Sequence, residues 1–237
     1  MIRLISYLLF AFFTVASTSV SAIESKKKHL AETGQQVGFR LGAWNNLGDS
    51  HPDSLSSQGA QLRTKINNAS FYFEGFYSIP FSSNLRGELS LGIVNRGTIS
   101  FTDGSLNDIG NLLIYPIFVN LKFYPLSGGS SKLRPYFSAG LGIVYAKQSI
   151  QFSNDIFFAQ YRESSKTKFS YTLNGGFDWL VGGSVGFELN AKYLPVNFSE
   201  PFLTVNNYDS FSITIGVKYF YKPKKEESRR KKHPRGN

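Results

Sequence analysis

Eight stretches of this chain are apolar at every second position, and nearly all the charges inside them keep to the other positions. The stretches lie near 36–44, 69–81, 85–94, 112–124, 133–147, 168–181, 184–196 and 208–221. The last of them, "SFSITIGVKYFY" (210–221), has Phe211, Ile213, Ile215, Val217, Tyr219 and Tyr221 on one parity. Arg40, Glu74, Arg86, Glu88, Lys122, Arg134, Asp178, Glu188, Lys192 and Lys218 all fall on the parity opposite to the apolar set; Lys147 and Asp209, at strands' outer ends, are the exceptions. A period of two puts successive side chains on opposite faces of a strand. Each stretch therefore reads as a strand with one apolar and one charge-bearing face, and no helical period competes.

The connections alternate in length. Residues 82–84, 125–132 and 182–183 are short and turn-rich, whereas 45–68, 95–111, 148–167 and 197–207 are long, polar and rich in Asn, Asp and Ser. Short turns at one end and long loops at the other are the layout of an up-and-down barrel in an outer membrane. An even strand number returns both termini to the short-turn end, expected to face the periplasm. Each stretch reaches the roughly 9–11 residues that a tilted strand needs to cross a bilayer.

A soluble barrel would turn the apolar face inward and solvate the other. That other face carries Gly140, Gly142, Gly176, Gly186, Gly216, Leu112, Ile114, Phe118 and Val144, which suits a narrow lumen better than water. The apolar face is aromatic at both ends. Tyr77, Phe81, Phe123, Trp179, Tyr219 and Tyr221 mark the short-turn end; Tyr115, Tyr145, Phe169, Tyr171, Tyr193 and Phe211 mark the other. Such girdles belong at two membrane interfaces. The expected fold is all-β, an eight-stranded antiparallel transmembrane up-and-down β-barrel spanning 36–221.

What flanks the barrel agrees with export. The opening "MIRLISYLLFAFFTVASTSVSA" has Arg3, an apolar run from Leu4 to Ala16 and a small-x-small site at Val20-Ser21-Ala22. Residues 1–22 read as a secretory signal peptide, with an uncleaved anchor as the alternative. Residues 23–35 form a short periplasmic segment. The chain has no cysteine, so an exported fold must hold without disulfides. Of the net charge of +10, residues 222–237 hold eight Lys or Arg against two Glu. Pro223 ends strand pairing, and the like charges beyond it favour a disordered periplasmic tail. Attachment to an anionic wall polymer such as peptidoglycan is one reading of that tail, plain solvation the other. With the charge so uneven, no nucleic-acid-binding face is implied.

Two stretches go beyond general pattern. "PIFVNLKFYPLSGGSSKLRPYFSAGLGIVYA" (116–146), with its Arg134-Pro-Tyr…Ala-Gly-x-Gly142 core, resembles the fourth strand, turn and fifth strand of OmpW-like and OmpA-like outer-membrane barrels. "LNGGFDWLVGGSVGFELNAKYLPV" (173–196) is similar to their sixth and seventh strands. Thr214, Gly216, Tyr219 and Tyr221 are similar to the terminal signal by which such barrels reach the outer-membrane assembly machinery, although here 16 residues follow the last aromatic. The resemblance implies a bilayer with lipopolysaccharide as surroundings and, for OmpW-like barrels, a small hydrophobic ligand.

Inward residues sort by depth. Arg86, Glu88, Lys122, Arg134, Asp178, Glu188 and Lys218 fall in the periplasmic half, as a candidate plug of paired charges. Tyr72, Leu112, Ile114, Phe118, Val144 and Leu194 fall above, with Val94 and Ala146. Two readings stay open for this upper set: side chains filling a narrow lumen, or a shallow apolar pocket opening outward. A third class is a surface-interaction barrel acting through its loops. The fourth is an enzyme acting on lipid A. Its sole candidate is His51 beside Asp49 and Asp53 in the first long loop, with Ser100, Asp103 or Ser105 as a partner. His29 and His233 lie outside the barrel. The composition and spacing call for no cofactor or metal, and the expected protein is not an enzyme.

Overall fold

The computed structural model describes residues 33–48, 55–57, 60–102, 106–126, 132–150, 163–181, 184–202 and 205–221. The signal-peptide region, the basic tail, His29, Asp49, His51, Asp53, Asp103, Ser105 and His233 lie outside these residues. Eight long strands close a barrel: β1 (Gln35–Asn46), β4 (Ala69–Pro80), β5 (Leu85–Thr102), β6 (Leu106–Phe123), β7 (Leu133–Ile150), β8 (Glu163–Leu180), β9 (Val185–Leu194) and β12 (Ser210–Tyr221). Each pairs antiparallel with its neighbour in sequence, and β12 returns to β1 with Tyr221 opposite Gln35 and Ser210 opposite Asn46. No sheet edge remains among these eight strands, so every ladder is satisfied within the cylinder, which is what a strand-built structure needs in hydrocarbon.

Side-chain parity follows the sequence pattern. Val37, Phe39 and Leu41 on β1, Leu89, Leu91 and Ile93 on β5, and Ile213 and Ile215 on β12 are exposed. Arg40, Glu74, Arg86, Glu88, Lys122, Arg134, Asp178, Glu188, Lys192 and Lys218 are all buried. Water outside would favour the reverse arrangement. A cylinder with Leu and Phe outside and carboxylates inside has lipid as its solvent. No helix among the described residues is long and apolar enough to cross a membrane; the strands do the crossing.

The lumen is narrow enough that inward glycines set its packing. A Cβ on Gly38 would lie 2.6 Å from Phe76 Cζ, and one on Gly216 would lie 2.9 Å from Arg40 Cγ. Both positions leave room for a large neighbour reaching across from the next strand.

The long connections depart from the expectation of plain loops. β5, β6, β7 and β8 each run 18 residues, well beyond the roughly 9–11 that span a bilayer. Within the first loop, β2 (Leu55–Ser57) and β3 (Ala60–Ile66) form a hairpin, and β3 pairs with the outer part of β5, Ile66 opposite Gly97. In the last loop β10 (Asn197–Phe202) pairs with β11 (Val205–Asn207). These ladders escape period-two reading because outside the bilayer neither face has to be apolar. β9 stops at Leu194, two residues short of the expectation, where Pro195 interrupts the ladder.

Candidate functional site

The lumen is layered. At its centre Arg40, on β1, donates from Nε and Nη2 to the two oxygens of Glu188 on β9, both at 3.1 Å. Its Nη2 also reaches Glu88 Oε2 at 2.7 Å, and its Nη1 binds Glu74. Lys122 lies 2.8 Å from Glu88 and 2.7 Å from Glu188, and Lys192 binds Glu74. Lys218 bridges Asp178 at 2.6 Å and Glu188 at 3.2 Å. Four cations thus face four carboxylates, all nearly inaccessible to solvent. Charge balance and this density of contacts let ionised groups persist without water.

Aromatic rings frame the network. Phe76 lies beneath the Arg40 guanidinium at 4.0 Å, with Lys122 and Lys218 further out over the same ring, a cation–π arrangement in a desolvated site. Tyr72 donates to Glu74, Tyr124 to Asp178 and Tyr136 to Glu188. Nearer the turns, Arg86 donates to Ser78 Oγ and to the Gly34 carbonyl, and Arg134 lies over the Tyr124 ring at 4.6 Å.

Of the seven expected plug residues, Glu88, Lys122, Asp178, Glu188 and Lys218 belong to this connected network. Arg86 and Arg134 sit below it. Arg40, Glu74 and Lys192 join it from higher in the barrel, and Arg40 is its hub. Inward parity alone places them in the lumen; their reach across it depends on side-chain length that alternation does not report.

Above the ions lies one apolar cluster. Tyr72, Val94, Leu112, Ile114, Phe118, Val144, Ala146 and Leu194 pack together there, joined by Trp44, Ile66, Val196, Phe198 and Tyr208. All six residues expected to line the upper lumen are in it. Of the five others, Trp44, Val196 and Tyr208 stand at the outer ends of alternating stretches, and Ile66 and Phe198 come from the outer strands β3 and β10. Trp44 meets Tyr72 edge-on at 4.8 Å, and Phe198 meets Tyr208 at 5.5 Å.

At the top of this cluster stands Arg96, absent from the sequence expectations. The ladder between β5 and β6 pairs Asn95 with Leu113 and Gly97 with Leu112, so Arg96 is the extra residue of a β-bulge. It is fully buried, and its Nη2 donates to Asn46 Oδ1.

At the short-turn end, the residues of the expected assembly signal divide between faces. Thr214 is buried inward, while Tyr219 and Tyr221 stack outside with ring centroids 6.4 Å apart. Ser100, a candidate catalytic partner, is buried on the outer part of β5. Among the described residues no group of three or more His, Cys, Asp or Glu is placed to hold a metal.

A sealed cylinder with an apolar belt and an ion-paired interior defines the class: a transmembrane β-barrel of eight strands. Solved structures have the same fold. The outer membrane protein OprG from Pseudomonas aeruginosa matches with a TM-score of 0.52 at 17% identity, over 81% of this chain and 98% of that one. Neisserial surface protein A (NspA) matches with a TM-score of 0.53 at 13% identity, over 79% and 96%. No family model and no curated protein matches the chain. The chain has the fold of the small outer-membrane barrels.

Proposed function

We propose that this protein is a non-enzymatic barrel of the outer membrane, with both termini in the periplasm, whose outward-facing apolar upper lumen binds or passes small hydrophobic molecules. One observation carries this reading: the apolar cluster from Trp44 to Tyr208 sits directly above a charge-balanced ion network. An apolar side chain buried in the upper lumen has neighbours that an apolar ligand can replace at little cost, whereas the ions below bar further passage along the axis. The bilayer and its lipopolysaccharide are the surroundings of the outer belt, and β12 is the strand that the assembly machinery would read.

The experiment is uptake of a small apolar probe by cells carrying the protein. Ile114→Trp and Leu194→Trp fill the upper lumen and should reduce uptake several-fold. Uptake equal to that of the unaltered protein rejects the reading.

A second reading has its own support. The 18-residue strands and the β2–β3 hairpin raise a paired platform above the bilayer, which suits contact with other surfaces. Removing residues 55–66 would abolish such contact and leave uptake intact. The enzymatic reading depends on His51, outside the described residues; a change in lipid A mass on expressing the protein would favour it over both others.

A further inference from the structure

Four neighbouring strands each bring an unpartnered polar group to the outer mouth. Trp44 stands on β1 opposite Ser70 of β4 and Ser212 of β12, and Arg96 is delivered from β5 by the bulge. Trp44 Nε1, Ser70 Oγ, Ser212 Oγ, and Arg96 Nε and Nη1 are buried without hydrogen-bond partners. The Arg96 guanidinium carbon lies 6.0 Å from the Trp44 ring. Of the described residues, only Asn46 supplies this arginine with an acceptor.

A buried cation with unused N–H groups is costly, and so is a buried indole N–H. One layer below, four cations meet four carboxylates in a balanced network. At the mouth every unpartnered atom belongs to a donor group, and the charge is positive. What is missing there is an anion with several acceptor lone pairs. A carboxylate supplies two oxygens and one negative charge, and it suits a guanidinium in geometry. Trp44 also belongs to the apolar cluster, so acceptor-seeking donors and apolar surface meet at one side chain.

We propose that Arg96 and Trp44, flanked by Ser70 and Ser212, form a carboxylate-binding site at the outer mouth, and that the molecules taken up there are monocarboxylic acids with apolar tails. The tail half of this statement rests on the function proposed above; the carboxylate half stands on the donors alone.

The chain has two tryptophans, so Trp179→Phe leaves Trp44 as the sole emitter. The full-length protein with this change, folded in detergent micelles, is titrated with sodium octanoate, 1-octanol and sodium formate. Octanoate should alter Trp44 emission saturably at a concentration lower than octanol by about tenfold or more, as expected for a charge-assisted contact. Formate should compete with it. Arg96→Gln should erase the preference for octanoate while leaving the octanol response in place. Because that variant removes a buried charge, its folding is checked by the mobility difference between heated and unheated samples on gels. A measurement on the unaltered protein needs no variant: formate should raise its unfolding temperature more than equal sodium chloride does.

Equal titration by octanoate and octanol, or a preference that survives Arg96→Gln, overturns the site; water or acids of the chain's own loops then satisfy the donors. A response to octanol without one to formate or octanoate likewise overturns it and leaves the apolar lumen intact. A response to formate and octanoate with none to octanol upholds the carboxylate site and rejects the apolar lumen.

Discussion

Arg40 and Glu188, 148 residues apart in sequence, face each other across the lumen as a two-point fork, Nε to Oε2 and Nη2 to Oε1, both at 3.1 Å. They stand on β1 and β9, which are not adjacent: β12 runs between them. The fork ties the first and seventh strands of the barrel through side chains, in addition to the ladders that close it. It also fixes Gly216, since this β12 residue lies opposite both Arg40 and Glu188 in the ladders.

Removing Arg40 leaves Glu74, Glu88 and Glu188 with one cation fewer and the network with a net negative charge. Burying an uncompensated charge costs about 3–5 kcal/mol. Arg40→Met should therefore destabilise the barrel by that amount in reversible urea unfolding from lipid vesicles. Arg40→Met combined with Glu188→Gln restores neutrality and should recover part of the loss. A single variant as stable as the parent would mean that the network is not ionised as drawn.

The glycines divide by what faces them. On Gly38 an added Cβ meets Phe76 Cζ at 2.6 Å, and Phe76 cannot retreat because Arg40 lies over its ring at 4.0 Å. Gly38→Ala should cost about 1–3 kcal/mol, the usual range for overpacking. Gly75, outward on β4, has nothing within 4 Å of such an atom. Gly75→Ala should stay within about 0.5 kcal/mol of the parent. The same urea assay compares them, and equal effects would contradict the assignment of inner and outer faces.

How much of this was legible in the sequence depends on where the bilayer ends. Within it, apolar residues must alternate, so Leu91 outside and Ser90 inside are readable from parity, and so is the inward turn of Arg40. Partners across the lumen are not readable, because Arg40 and Glu188 are joined by the curvature of a closed sheet and no local pattern encodes that. Above the bilayer the constraint lapses. In the β2–β3 hairpin and the outer ends of β5 to β8 no face has to be apolar, so the sequence there reads as polar loops. Arg96 keeps the inward parity of Val94, two residues earlier, but lies past the stretch that reads as a strand, at the bulge where regular alternation ends.

The lipid face should show its depth in the cost of a charge. Leu91, 53% exposed, lies mid-strand on β5, opposite Gly75 and Ile117. Leu126, 66% exposed, lies past the end of β6. By exposure alone Leu126 would be the more lipid-contacting of the two. By depth the order reverses: an arginine at the midplane costs about 2–4 kcal/mol, and one near the interface about 0–1. Leu91→Arg should lower folding stability in vesicles by the larger amount and Leu126→Arg by the smaller. The opposite ranking would place the belt elsewhere on the cylinder.

Tyr136 tests how the ion network depends on its neutral partners. Its hydroxyl donates to Glu188 and accepts from Asn190 Nδ2 at 2.7 Å. Tyr136→Phe removes one donor from Glu188, which keeps Arg40, Lys122 and Lys218, so the carboxylate loses little. Asn190 loses more. Its Oδ1 already has no partner, and the change removes the acceptor that its amide nitrogen uses. Leaving a buried polar group unsatisfied costs about 1–3 kcal/mol, and the remaining contacts of Glu188 argue for the lower half of that range. Tyr124→Phe is the control: its hydroxyl donates to Asp178 at 2.8 Å, and that carboxylate keeps Lys218 at 2.6 Å. With no amide acceptor lost, Tyr124→Phe should be the milder variant. If the two are equal, the cost resides in the carboxylates. If Tyr136→Phe is the milder, the amide has found water, and the middle of the lumen is wetter than its packing implies.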